Sequence, residues 1–379
     1  MWDPKLLIRL LPLSLLFIVL SLQLNGQDMP EINRTPVKIG IIGLEHSHVH
    51  WLLGRPDRGD LEIVGIVEAD EAVWQQYASQ YKLSDDLHFT ELEKMLKKAK
   101  PEGVCVFTSI DKHLPVVEAC AKKGIHVLLE KPTALNAEEV RQMQEAARKR
   151  GILILTNYET SFYGSVNQAF KIANVNEQLG KINKIVVQTG HQGPKEIGVG
   201  PEFLSWLTDP QRNGGGALMD FGCYGANLST WLAKGERPLS VTAVTQQLKT
   251  DTTYQKVDDE ATIIITYSDF QTIIEASWNW PDNRKILKLF GTTGYLECLD
   301  AENMRMVTEL HPKDMKIPAP KVRAPMDDPF SYFAFALRGR KPVKPTDLAA
   351  LELNLTVMEI LDAARLSAQT GKTVELPQY

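Results

Sequence analysis

The sequence predicts an α/β protein: a doubly wound parallel sheet in the N-terminal part, joined to a second α/β domain with a large, mostly antiparallel open sheet. Three observations carry this expectation. From Lys38, short apolar runs alternate with segments whose apolar residues recur at helical spacing, the signature of parallel βαβ units. Beyond Asn157 the runs lengthen and alternate apolar with polar, as half-buried antiparallel strands do. The 379 residues, 44% of them hydrophobic, suffice for two packed domains.

The first segment, MWDPKLLIRLLPLSLLFIVLSLQLNGQ, has a short basic start with Lys5 and Arg9, a leucine-rich run from Leu10 to Leu24 and a polar exit. It reads as a secretory signal peptide over residues 1–26 and predicts an exported, periplasmic protein. The run falls short of the roughly 20 residues of a spanning helix, and Pro12 interrupts it, so no stable membrane span is expected after processing. A net charge of −5 without a basic run argues against nucleic acid as a partner. Cys105, Cys120, Cys223 and Cys298 lack metal-ligand spacing and are read as free buried thiols.

Residues 36–156 supply the first domain. Its strands are VKIGIIG, LEIVGIVE, GVCVFTS, HVLLEKP and ILILTN; its helices are AVWQQYASQYKL, TELEKMLKKAK, HLPVVEACAKKG and AEEVRQMQEAARKRG. The turn after the first strand runs Gly43, Leu44, Glu45, His46, Ser47, His48. In a dinucleotide-binding turn three glycines make the bend, admit the pyrophosphate and let helix approach strand. Gly43 supplies the first; Glu45 and His48 stand at the other two. Glu45 adds a negative charge beside the phosphate position and weakens binding unless its side chain swings away, whereas His48 can donate to phosphate. The backbone N–H groups of the turn survive any substitution. Glu68 ends the second strand, where a carboxylate accepts from ribose hydroxyls, and with no arginine beside it NAD is favoured over NADP. His46 and His50 are four apart, but no carboxylate or cysteine completes a set at helix spacing, so no metal site is expected.

Residues 157–379 form the second domain, with strand-like KINKIVVQTG, EATIIITYSDFQTIIEASW and ILKLFGTTGYLECL and a long amphipathic helix over PTDLAALELNLTVMEILDAARLSAQTG that ends in a glycine cap. Lys131 follows a wholly apolar strand and precedes Pro132, at the sheet edge where α/β ligands bind. Asp220 and Tyr224, four apart after three glycines, share a helix face. The motifs in these segments belong to a family resemblance that implies oxidation of a CH–OH group, which requires removal of its hydroxyl proton. A free tyrosine has a pKa near 10, so Lys131 is expected to lower it, or to stabilise the developing alkoxide. Asp220 orients substrate hydroxyls or keeps Lys131 charged. His191, Trp206 and Arg212 are further substrate-binding candidates, Trp206 as a flat surface for a sugar face. His113 approaches the nicotinamide or caps the helix that it begins.

The pieces VKIGIIG, Glu68, TSIDKH with His113, EKP, GGGALMDFGCYGAN, LKLFGTTGYLE and SAQTGKTVEL together resemble the Gfo/Idh/MocA oxidoreductase family, nearly throughout Val37 to Leu376. The resemblance implies a Rossmann domain that holds NAD with Gly43, Glu45, His46, Ser47, His48, Glu68, Thr108, His113 and Glu130. It implies Lys131 and Asp220 in catalysis, with Tyr224 where many members carry histidine. It implies a sugar, glycoside or cyclitol substrate and a homodimer or homotetramer that pairs through the open sheet. Because no free NAD pool is maintained outside the cytoplasm, an exported member is expected to keep its cofactor tightly bound. The net reaction is then an oxidoreduction, or a redox-neutral glycoside hydrolysis. A non-catalytic sugar-binding relative is the other reading of the altered turn.

Overall fold

The computed structural model describes residues 35–378, apart from 310 and 341. The expected leader and its cleavage point lie outside these residues. Six parallel strands form the first sheet: β1 (Val37–Ile42), β2 (Leu61–Val67), β3 (His88–Phe89), β4 (Gly103–Val106), β5 (His126–Glu130) and β6 (Ile154–Asn157), in the order β3-β2-β1-β4-β5-β6. The order reverses between β1 and β4, which opens a crevice at their C-terminal ends. Alternate residues of these strands enter two cores. Val104 and Val106 pack with Met95 of α3 (Leu92–Lys98), Val117 of α4 (His113–Ala121) and Val140 of α5 (Ala137–Arg150). Ile39, Ile41 and Cys105 pack with Val49 of α1 (Val49–Leu53) and Trp74 of α2 (Glu71–Tyr81). Burial on both faces explains why the strands read as continuous apolar runs. The helices begin and end where local chemistry dictates: Asp70 accepts from Ala72 and Val73 N–H to cap α2, and Asn136 accepts from Glu139 N–H to cap α5.

The second sheet has nine strands. They are β7 (Ile182–Gly190), β8 (Ser240–Gln246), β9 (Glu260–Thr266), β10 (Gln271–Ser277), β11 (Arg284–Gly291), β12 (Tyr295–Cys298), β13 (Asn303–Val307), β14 (Met315–Pro318) and β15 (Val374–Glu375). All neighbouring pairs are antiparallel except β7 with β10. Between β7 and β8 the chain forms α6 (Pro201–Leu207), α7 (Pro210–Asn213), α8 (Ala217–Asp220) and α9 (Gly222–Leu232). The four cysteines are free and buried.

The tail departs from a simple two-part division. The helix α10 (Pro329–Leu337) inserts Phe330 and Phe333 into the first sheet's core beside Ile39 and Phe107. The helix expected from Pro345 begins instead at Leu351, forming α11 (Leu351–Thr370). Its upstream backbone is committed elsewhere: Ala349 O accepts from Thr156 N–H, and Ala350 bridges Leu155 on the edge of the first sheet. The expected glycine cap is Gly371, at φ 68°. Among the described residues no helix is long and apolar enough to cross a membrane.

Candidate active site

The turn after β1 is built around Gly43, whose φ of 79° suits glycine and whose missing side chain leaves room for the Thr108 methyl and the Phe107 carbonyl. Glu68 is buried and ties the turn to β2: one carboxylate oxygen accepts from Leu44 N–H at 3.0 Å, the other from Asp70 N–H at 3.0 Å. Asp70 therefore caps the helix while Glu68 faces the turn, so the two acids divide the tasks that the sequence left together. The N–H groups of Leu44 and His46 are engaged by Glu68 and Phe107 O, whereas those of Glu45 and Ser47 carry no hydrogen bond among the described residues. Glu45 does swing away: its carboxylate meets Lys112 Nζ at 2.6 Å and Arg212 Nη2 at 3.2 Å.

His113 is fully buried; its Nδ1 lies 3.0 Å from Thr133 O and its Nε2 has no hydrogen-bond partner among the described residues. Burial lowers its pKa to about 4, so the ring is neutral. Glu130 accepts from Asn157 at 2.8 Å and pairs with His48 Nδ1 at 2.9 Å. Burial raises the Glu130 pKa and lowers that of His48 to about 3, the nearby Lys131 charge adding to the histidine's shift. The ligand atoms of His46, His48 and Glu130 lie within 4.8 Å of one another, so the carboxylate missing at helix spacing arrives from β5. These groups are already joined by hydrogen bonds. His46 Nδ1 accepts from His48 N–H at 3.1 Å, which puts the proton of a neutral His46 ring on Nε2.

Lys131, at the end of β5, is buried and forms a close ion pair with Asp220 Oδ1. The other Asp220 oxygen accepts from Trp278 Nε1 at 3.0 Å. Burial opposes both charges, but each outweighs that cost for the other: the lysine pKa is raised and the aspartate pKa lowered. The ammonium also lies 5.3 Å from the centre of the Tyr224 ring. On the same ring stands Lys285 of β11, 5.7 Å from the centre and 3.0 Å from Glu159. Tyr158 meets Tyr224 edge-on at 5.6 Å. The expected lowering of the Tyr224 pKa is reversed: burial raises it well above the ordinary value, and Glu159 raises it further. Lys131 is spent on Asp220 and leaves the phenol neutral.

The glycines before Asp220 hold it in place. Gly216 lies so close to the backbone of Asp258 that any Cβ would overlap the Asp258 carbonyl, and the Asp258 carboxylate accepts from Gly216 and Leu218 N–H. Gly216→Ala is expected to displace α8 and cost on the order of 3 kcal/mol, with loss of activity; urea unfolding checks the first and turnover the second.

Two substrate candidates are corrected. Trp206 is 1% exposed and packs against His46 and Phe203, so it offers no face to a sugar. Arg212 reaches Glu45 and Ser109 at the turn, away from the Lys131 pair. His191 stands edge-on to Phe221 at 4.9 Å, with Nδ1 accepting from Gly193 N–H; burial lowers its pKa to about 4, and its neutral ring carries the proton on Nε2 as a donor. Sequence reasoning missed Glu159 and Lys285, which carry no motif and meet only through folding.

The pieces fit a dinucleotide: a glycine bend, a buried acid at the end of β2, two unspent turn N–H groups and an unpartnered His113 nitrogen. Comparison with known proteins agrees. The pattern described as "Oxidoreductase family, NAD-binding Rossmann fold" matches residues 37–158, and that of the GFO/IDH/MocA C-terminal domain matches residues 168–297. Trans-1,2-dihydrobenzene-1,2-diol dehydrogenase of Sus scrofa is 26% identical over 231 residues, 61% of this chain and 63% of that protein's length. The fold is shared with the aldose-aldose oxidoreductase from Caulobacter crescentus complexed with glycerol, at TM-score 0.73 and 22% identity over 90% of this chain and 100% of that one. It is also shared with an inositol dehydrogenase homolog complexed with NAD+ from Azotobacter vinelandii, at TM-score 0.78 and 15% identity over 90% of this chain and 98% of that one. The two matched regions follow one another through most of both sheets, and the chain belongs to the Gfo/Idh/MocA family of oxidoreductases, residues 37–158 being that family's NAD-binding Rossmann domain.

Proposed function

We propose that the protein interconverts a CH–OH group and a carbonyl on a neutral sugar, glycoside or cyclitol, with NAD held in the turn after β1. The observation that carries this reading is the buried Lys131–Asp220 ion pair set against the Tyr224 ring at the mouth of the first sheet. When bound, the nicotinamide ring exchanges the hydrogen that moves with its electron pair. Lys131 directs a fixed positive charge at the oxygen that becomes negative. Asp220 holds that ammonium in place and charged. Tyr224, kept neutral, is the proton donor to a carbonyl oxygen, and in the reverse direction it must first lose its own proton. The two lysines near the Tyr224 ring are each paired with an acid, Lys131 with Asp220 and Lys285 with Glu159, which suits an uncharged polyhydroxylated ligand. Names of relatives support the same class: one is a diol dehydrogenase and another a 1,5-anhydro-D-fructose reductase.

We further propose export, guided by the leucine-rich first segment, and self-association through the outer face of the second sheet, where Val244, Ile264 and Phe290 are exposed. Protein purified from Gln27 onward and then unfolded is expected to release NAD, or to bind added NAD if the cofactor is lost, and to turn over polyols or glycosides. Cell fractionation and light scattering on the same preparation check compartment and assembly. Failure both to release and to bind NAD sinks the redox reading and leaves a sugar-binding relative.

A further inference from the structure

The side chain at the second position of the turn has taken two cations with it. Glu45 stands where a glycine normally lets the backbone approach the pyrophosphate. Its carboxylate, 18% exposed, is held between Lys112, from the loop after β4, and Arg212, from α7 in the second half of the chain. Arg212 Nη2 also donates to Ser109 Oγ at 3.1 Å, and its Nε lies 4.0 Å from Asp111 Oδ1, a buried oxygen that has no hydrogen-bond partner. Two cationic side chains from opposite halves thus converge within one glutamate side chain's reach of the turn. The Glu45 and Ser47 N–H groups of the same turn have no hydrogen bond among the described residues.

A carboxylate is a modest partner for such a pair. A diphosphate offers several acceptor oxygens and a charge on each phosphorus, and guanidinium groups bind it through two parallel hydrogen bonds. Glu45 sits on the rim, where its side chain can turn into water. We infer that Lys112 and Arg212 are the cationic contacts of the dinucleotide's diphosphate, and that Glu45 is the resident anion that yields them when the cofactor enters. The inference rests on the NAD reading above and deepens it. Arg212 then links the bound cofactor to the second half of the chain, and Glu45 sets how tightly it is held.

The test is titration calorimetry at low salt on cofactor-free protein, with ADP-ribose and adenosine as probes, so that neither nicotinamide chemistry nor substrate is involved. Arg212→Met and Lys112→Met are each expected to weaken ADP-ribose binding at least tenfold while leaving adenosine binding unchanged. Glu45→Gly is expected to tighten ADP-ribose about tenfold. The decisive comparison is Arg212→Met made in the Glu45→Gly background. If Arg212 contacts phosphate, the loss persists there; if Arg212 serves only to neutralise Glu45, the loss vanishes and the inference is overturned. Arg212→Lys keeps the charge and is expected to retain most of the binding, and melting curves for every variant separate a local loss from unfolding. Wild-type protein that binds neither ADP-ribose nor NAD overturns the cofactor reading and this inference with it. Wild-type binding that none of the variants alters overturns the inference alone.

Discussion

Replacing Lys131 with alanine is expected to lower kcat/KM about a thousandfold and to destabilise the protein by about 3 kcal/mol or more. The two losses have different origins. The ammonium is paired with Asp220, and in the proposed mechanism its removal takes away the group that would meet the developing oxyanion. It also leaves the Asp220 carboxylate buried with Trp278 Nε1 as its remaining side-chain donor. Stability and activity are separable by a second variant. Lys131→Met combined with Asp220→Leu removes both charges and is expected to recover most of the stability, because a buried ion pair replaced by apolar groups of similar size is often neutral. Activity stays lost. Denaturant unfolding and steady-state kinetics on the three proteins read the two effects. A double variant that regains turnover would assign the chemistry elsewhere.

The second large effect concerns pH. Tyr224 is held neutral by burial first and by Glu159 second, so its pKa stands above the ordinary tyrosine value. If Tyr224 is the base, as proposed, the working form in the oxidative direction is the phenolate, whose fraction grows about tenfold per pH unit below the pKa. Oxidation is therefore expected to rise steadily from pH 7 to pH 10 without a plateau, whereas carbonyl reduction, which uses the neutral phenol, stays level over the same range. Tyr224→Phe is expected to remove the slope and to lower both rates by about 10²–10⁴. Glu159→Gln removes a negative charge facing the phenol and leaves Lys285 unbalanced beside the ring, so the oxidative profile is expected to move to lower pH. A plateau near pH 7 in the wild-type oxidative profile would exclude Tyr224 as the titrating group.

What the sequence disclosed and what it withheld follow one rule. Placement at a strand end and its turn was legible: Gly43 lies in the turn after β1, and Glu68 and Lys131 directly follow β2 and β5, as the apolar runs predict. Side-chain direction was not legible. Nothing near Glu45 in sequence foretells a partner 167 residues away, and nothing near His48 foretells Glu130, 82 residues on. Trp206 was misread because an aromatic ring before a glycine run looks the same whether it faces a ligand or, as here, a histidine and a phenylalanine. The tyrosine pKa was misread because one charge was counted and its counter-charge was not: Lys131 beside Tyr224 matters little once Asp220 has claimed it. The tail helix starts six residues late because the edge of β6 uses the backbone of Ala349 and Ala350 first.

The return of the chain to the first sheet has a consequence for how this protein comes into being. Phe330 and Phe333 complete a core that Val37 begins, so one face of the first sheet waits for residues made long after its strands. A ribosome must release the chain through α10 before that face can close. Until then the nascent N-terminal half exposes the side chains that α10 later covers, and it lacks the contacts that make its fold cooperative. The order of synthesis and the order of burial run in opposite directions on this face, which keeps that side of the sheet uncovered until α10 has been made.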